Sequence, residues 1–191
     1  QQPEMAAFTD TCLIHRAEIM QLSGAWPDAL GATSRPCERC HQADRKPPAA
    51  ALYQRGEIHR LRGEFAEADE AFRAASECGY EPQPGLALLR LAQGRSDSAR
   101  AMLARLLSAT SDRFRRAGLL PAQLEIMIGT GDLPGARQAW DELSRLAELL
   151  DTDMLRAVAA QAQGAIAIED GDAGSALEAL DRAFAIWSRL D

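Results

Sequence analysis

The chain has 191 residues, of which 47% are hydrophobic and 5% aromatic, and its formal net charge is -7. Because this acidic field opposes a phosphate backbone, we expect no direct nucleic-acid contact by this segment. The sequence contains no apolar run of membrane-spanning length and no export signal, which predicts a cytoplasmic segment without membrane contact.

The predicted elements are helices, because Ala, Leu, Arg and Glu dominate the composition. In chain order the pattern predicts 8–22 paired with 26–42, 48–62 with 65–78, 84–93 with 96–109, 113–129 with 133–149, and 153–170 with 173–190. Residues 42–48 and the stiff Glu-Pro-Gln-Pro segment at 81–84 are expected to be connectors. Pro121 predicts a kink or a late start in its helix.

A glycine marks the turn inside each predicted pair, and the turns recur at intervals scattered around about 34 residues, the tetratricopeptide period. Glycine closes a helix in the left-handed conformation without a Cβ clash. An alanine follows each glycine five positions later, where a small side chain lets two helices approach closely. The glycines are Gly24, Gly63, Gly94, Gly131 and Gly171, and the alanines are Ala29, Ala68, Ala99, Ala136 and Ala176.

Further positions follow the same repeat. Nine residues after the glycine, four units carry a large apolar residue, namely Phe72, Leu103, Trp140 and Leu180, whereas the first unit has Thr33 and should pack less well. Gly56 and Ala75 complete the best unit as small contacts. We therefore predict an all-α fold, a tetratricopeptide-like α-α superhelix of about five antiparallel helix pairs. Residues 1–191 would form a single repeat domain, and the initial Gln1 suggests a piece of a longer protein.

Trp187 and Leu190 lie near the end of the last predicted helix. As large apolar residues, they are expected to be buried by another element. They predict a sixth helix pair or a contact with a second copy, and hence self-association through the C-terminal end.

The cysteines allow four interpretations. Cys37 to His41 has the Cys-x-x-Cys-His form of a haem attachment site, but the chain shows no export signal. Cys12 and His15 on the first helix could join Cys37 and Cys40 on the second around zinc, and a disulfide between Cys12 and Cys37 is also conceivable. We favour free cysteines that pack as small hydrophobic residues, with no metal and no cofactor.

No group of residues in the sequence has the pattern of a catalytic site. A nucleophile elbow and a phosphate-binding loop are both missing, and Asp170-Gly171-Asp172 lacks the remaining ligand positions of a calcium loop and is expected to be a turn. The prediction is a protein that is not an enzyme.

The expected binding surface is the concave face, which the first helix of each pair would form. Its mixed polar, aromatic and aliphatic character suits an extended peptide or a helix. The outward positions on these helices are Glu18, Gln21, Tyr53, Glu57, Arg60, Leu88, Glu125 and Gln161. The other interpretation is that these residues are merely exposed on a spacer.

Three stretches of the sequence resemble the tetratricopeptide region of bacterial LuxR-type transcriptional regulators of the large, multidomain kind. They are residues 17–29, residues 56–65 (Gly-Glu-Ile-His-Arg-Leu-Arg-Gly-Glu-Phe) and residues 81–94. The resemblance implies repeats that sense a ligand, self-associate or contact a protein, with DNA contacts made by a separate helix-turn-helix domain. Cys40 and His41 depart from the family pattern.

Two functions are therefore open. The first is a protein-interaction and signal-input scaffold of a LuxR-type regulator. The second is a stand-alone adaptor or co-chaperone of the tetratricopeptide type that binds a peptide segment. A carboxylate-clamp adaptor would need several Lys and Asn residues in the groove, where this chain offers mainly Arg60.

Overall fold

The computed structural model describes residues 3–42 and 46–190, and all regular secondary structure in these ranges is α-helix. This confirms the predicted all-α class. The described residues form ten helices: α1 (Pro3–Leu22), α2 (Trp26–Gln42), α3 (Ala49–Leu61), α4 (Phe65–Glu77), α5 (Gly85–Ala92), α6 (Ser96–Ala109), α7 (Arg113–Gly129), α8 (Leu133–Leu150), α9 (Asp153–Glu169) and α10 (Ala173–Leu190).

The turn glycines end the first helix of each pair in the same way. All five have a positive φ, between 74° and 76°. At Gly63 the backbone N–H donates to the carbonyl of Arg60 over 3.1 Å, and the next N–H, of Glu64, donates to His59 over 2.9 Å. This pair of bonds satisfies carbonyls that the helix end leaves unpaired. The left-handed glycine therefore stops one helix and redirects the chain into the next within about three residues.

The small residues lie at the helix contacts, as predicted. Ala29, Ala68, Ala99 and Ala136 are 0% exposed and Ala176 is 5% exposed. Gly56 has the same role, because a Cβ there would lie 2.5 Å from the ring of Phe72. An added methylene at such positions would force the paired helices apart, since protein interiors have no spare volume.

Three details differ from the sequence-based expectation. Helix α1 begins at Pro3, earlier than residue 8, because proline fits a first helical turn, where its missing N–H leaves no bond unmade. Helix α7 runs from Arg113 through Pro121 without the late start that the proline suggested. Thr33 is fully buried despite its hydroxyl, which donates to the carbonyl of Leu30 over 2.9 Å and so leaves no polar atom unpaired.

The chain folds into two compact units, Gln1–Leu89 and Arg90–Asp191. In the first, α1 packs on α2, α2 on α3 and α3 on α4. In the second, α6 packs on α7, α7 on α8 and on α9, and α9 on α10. A single repeat domain over the whole chain stays a prediction.

Each unit has its own apolar core. In the first unit Phe72 and Leu89 are fully buried against Ala68, with Tyr53 beside them. The core of the second unit includes Leu143 and runs through α7, α8 and α9. Among the described residues, no helix combines the length and the apolar character that crossing a bilayer requires.

Candidate binding grooves

The second unit contains a cleft of about 610 Å³ that lies mainly between α7 and α9, the first helices of two neighbouring pairs. Its volume falls in the range of ordinary ligand sites. The lining residues are Leu91, Pro121, Leu124, Glu125, Ile128, Gly129, Val158, Gln161, Ala162 and Ala165. Most of this lining is aliphatic, so the cleft favours apolar groups over charged ones.

Two polar residues line the otherwise aliphatic cleft and could fix the orientation of a ligand. Glu125 and Gln161 are exposed, and both were predicted as binding residues. Within the described residues Glu125 forms no ion pair, and Gln161 forms no hydrogen bond. Their carboxylate and amide are thus available to a ligand. The cleft offers an apolar floor, one negative charge and one uncharged donor and acceptor.

In the first unit an aromatic group lies between α3, α4 and the segment that precedes α5. The ring of Tyr53 lies 5.7 Å from that of Phe72 and 5.1 Å from that of Tyr80, measured between centroids. Burial raises the pKa of the Tyr53 phenol, and the nearby carboxylate of Glu57 raises it further. Tyr53 therefore stays protonated at neutral pH and presents a rigid, uncharged surface with a hydroxyl.

An ion pair sits beside this aromatic group. Glu57 accepts two hydrogen bonds from Arg60, from Nε over 3.0 Å and from Nη2 over 3.1 Å, and both side chains are 13% exposed. Gly85 closes the site, because a Cβ there would lie 2.9 Å from Cδ of Glu57 and from Cζ of Phe72. Only glycine lets α5 begin this close to α3. The paired charges satisfy each other, so this part of the face is less suited to a charged ligand.

Helix α1 contributes polar residues to the first unit. Gln21 accepts a hydrogen bond of 2.6 Å from Gln54 of α3, which is 5% exposed. Glu18 is exposed and bonds to His15 one turn earlier over 3.0 Å. The structure therefore places Gln21 at the contact of α1 with α3, while Glu18 remains at the surface.

Leu88 does not occupy the outward position that the sequence suggested. It is 8% exposed, and its neighbours Ala87 and Leu89 are 0% exposed. Since three consecutive residues of α5 are buried, the short helix is enclosed on more than one side. Leu88 contributes to packing.

The four cysteines are free, so no disulfide joins Cys12 to Cys37. Within the described residues no group of three or more His, Cys, Asp or Glu side chains is arranged to hold a metal ion. Cys12 is exposed, whereas Cys40 is 3% exposed. Burial raises the pKa of the Cys37 thiol, and a hydrogen bond from Arg55 opposes that effect.

Sequence reasoning missed most of the cleft. The α7 residues Pro121, Leu124 and Ile128 and the α9 residues Val158 and Ala162 follow the spacing of one helical face. That spacing is a usable signal, but it is also the signal of a helix face buried in a core. Only the packing of α7 on α9 distinguishes the two.

No protein-family model matches the chain, and no curated protein matches its sequence.

Proposed function

We propose that this chain is a non-catalytic scaffold that binds a segment of a protein or peptide in the cleft between α7 and α9. The observation that carries the proposal is a ligand-sized, mainly aliphatic cleft whose lining includes Glu125, a carboxylate that forms no ion pair with the residues that the structure describes. An apolar cleft with a few polar groups that fix orientation is the usual form of a binding site.

The chemistry of the cleft indicates the kind of segment. Apolar side chains would fill the space between Leu124 and Val158, while a lysine or arginine of the ligand would pair with Glu125. Gln161 can accept from or donate to the backbone of the segment. The net charge of -7 would speed the approach of a basic segment.

The finer proposal is that the scaffold is the signal-input part of a LuxR-type transcriptional regulator in the cytoplasm. It rests on the resemblance of residues 17–29, 56–65 and 81–94 to that family. DNA would be contacted by a separate domain, because this acidic chain repels phosphates.

A stand-alone adaptor that clamps a carboxylate is the less favoured function. Arg60, the arginine expected in the groove, already donates to Glu57. A ligand carboxylate would have to compete with this internal partner, so the first unit supplies little free positive charge at this face.

A peptide array tests binding in the cleft. Each nonapeptide is present in two versions, one with Arg and one with Glu at the same position. Fluorescence polarisation then gives the dissociation constants of the best pairs. Because a charge-assisted hydrogen bond contributes about 1.5–3 kcal/mol, we expect the Arg version to bind about 10-fold to 100-fold more tightly. Glu125→Gln should remove that preference.

The matched control is Glu178→Gln, which changes an exposed glutamate of the same unit that does not line the cleft. It should leave both dissociation constants unchanged. Absence of binding by every peptide, or an Arg preference that survives Glu125→Gln, would refute the proposed site.

The regulator proposal has a separate test. We expect no binding of this chain to duplex DNA at about 150 mM salt below about 100 µM, the weak limit of non-specific binding. Tight, sequence-specific DNA binding by this segment alone would contradict the proposal that a separate domain contacts DNA. A reading frame in which a helix-turn-helix follows residue 191 would support it.

A further inference from the structure

Helix α10 carries a row of large apolar side chains that the described residues leave exposed. Their exposed fractions are 63% at Leu177, 37% at Leu180, 72% at Phe184, 37% at Trp187 and 49% at Leu190. The residues follow one another at spacings of three and four, which places the first four on one side of the helix. We call this row the α10 stripe.

The adjoining arc of α10 already has a partner. Ala176, Ala179 and Ala183 are buried, and α10 packs along α9. Leu180 belongs to both arcs. It is 37% exposed, yet it packs so closely on α9 that a Cβ added to Gly164 would lie 2.7 Å from Cγ of Leu180. The apolar arc of α10 is thus wider than α9 covers. A helix needs such a wide arc only when two surfaces bury it.

We propose that the α10 stripe is the interface between two copies of this chain. With about 200 Å² for a fully exposed large side chain, the exposed fractions amount to on the order of 500 Å² per copy. Two copies would then bury on the order of 1,000 Å², about the smallest area expected of a specific interface. The stripe therefore supplies the apolar centre of a dimer interface, and the polar residues around it would add further contact area.

The pattern of the stripe favours a second copy as its occupant. In a two-fold dimer the same patch serves both partners, so an apolar row needs an equally apolar row of the same length. The three-four spacing of Leu177, Leu180, Phe184 and Trp187 is that of a seam between two long helices, in which each side chain fits between side chains of the facing helix. A second α10 meets both requirements.

Sedimentation velocity of the 191-residue chain over a range of concentrations tests this proposal. A reducing agent keeps the exposed Cys12 from linking copies covalently. We expect a reversible dimer with a dissociation constant in the micromolar range. Phe184→Glu and Leu177→Glu should each raise that constant at least tenfold, because each places a charge in the apolar seam.

The matched control is Phe114→Glu. Phe114 lies on α7 and is 73% exposed, almost the same fraction as Phe184, so the two substitutions have equal chemistry and equal exposure in the monomer. Circular dichroism checks that each variant keeps its helix content. The control should dimerise like the parent chain.

Two results would overturn the proposal. One is a parent chain that stays monomeric up to about 1 mM, well above the expected constant; the stripe would then belong to an adjoining segment or another protein. The other is a dimer that Phe114→Glu disrupts as strongly as Phe184→Glu. The proposal does not depend on the cleft, since its readout is the oligomeric state alone.

Discussion

Replacement of Ala68 by leucine tests the small-residue contact on which each helix pair depends. Ala68 is 0% exposed and packs in the first unit against Phe72 and Leu89, with Tyr53 and Phe65 beside them. Leucine adds three carbon atoms where no space remains. Overpacking of this kind costs about 1–3 kcal/mol, and we expect about 2 kcal/mol for Ala68→Leu.

Ala66→Leu is the control, because Ala66 lies on the same helix and is exposed. Its helix propensity changes little, and surface substitutions usually stay within about 0.5 kcal/mol. The two variants share their composition and differ only in the face that carries the added carbons. Any difference in their stability therefore reports the packing of α4.

Urea unfolding followed by circular dichroism measures the difference. With a slope of about 2 kcal/mol per molar urea, Ala68→Leu should lower the midpoint by about 1 M, while Ala66→Leu should leave it nearly unchanged. Equal midpoints for the two variants would mean that Ala68 does not set the distance between the helices. The physical basis of the repeat assignment would then fail.

Three further predictions concern the turns and the titrating groups. Gly131→Ala should destabilise the protein by about 1–2 kcal/mol, because φ is 74° at this turn and alanine avoids a positive φ. Gly118 lies inside α7, and a Cβ added there would meet no atom within 4 Å, so Gly118→Ala should stabilise the protein by up to about 1 kcal/mol. Thermal unfolding measures both changes. A hydrogen-bonded ion pair with Arg116 lowers the pKa of Glu142. The contribution of this pair to the free energy of unfolding is therefore present above about pH 4.5 and is lost as the pH falls further. Arg116→Met should cost about 2 kcal/mol at neutral pH, and urea unfolding should show a weaker loss of stability in acid. Burial raises the pKa of Tyr53, so the native state holds its proton more tightly and loses stability as the pH rises above about 10, a slope that Tyr53→Phe should reduce. Each would be contradicted by the opposite sign, or by a variant that keeps the parent pH profile.

The helices and their turns could be read from the sequence because their signals are local. A glycine such as Gly63 reaches a positive φ that other residues avoid, and this is a property of the residue itself. The alanine five positions later, such as Ala68, repeats with the period of the structure, so its burial follows from register alone. Even Pro121 was compatible with the predicted helix, because packing on α8 and α9 can compensate for one missing hydrogen bond.

The binding surface was only partly readable. Glu125 and Gln161, which were predicted as outward positions of a concave face, line a cleft, whereas Leu88 was assigned an outward position and is buried. The reason is that one helix face looks the same in the sequence whether it faces a core or an open groove. Likewise, the pairing of Glu57 with Arg60 decides that their charges serve each other, and residue types alone leave this open.

The sequence by itself thus determined the secondary structure, the helix pairs and the positions where helices touch, since these depend on backbone conformation and side-chain size at regular spacing. Only the tertiary structure decided which apolar faces remain uncovered. The cleft between α7 and α9 and the stripe on α10 are apolar surfaces that no other described part of the chain covers. That outcome depends on the positions of neighbouring helices, which no local pattern specifies.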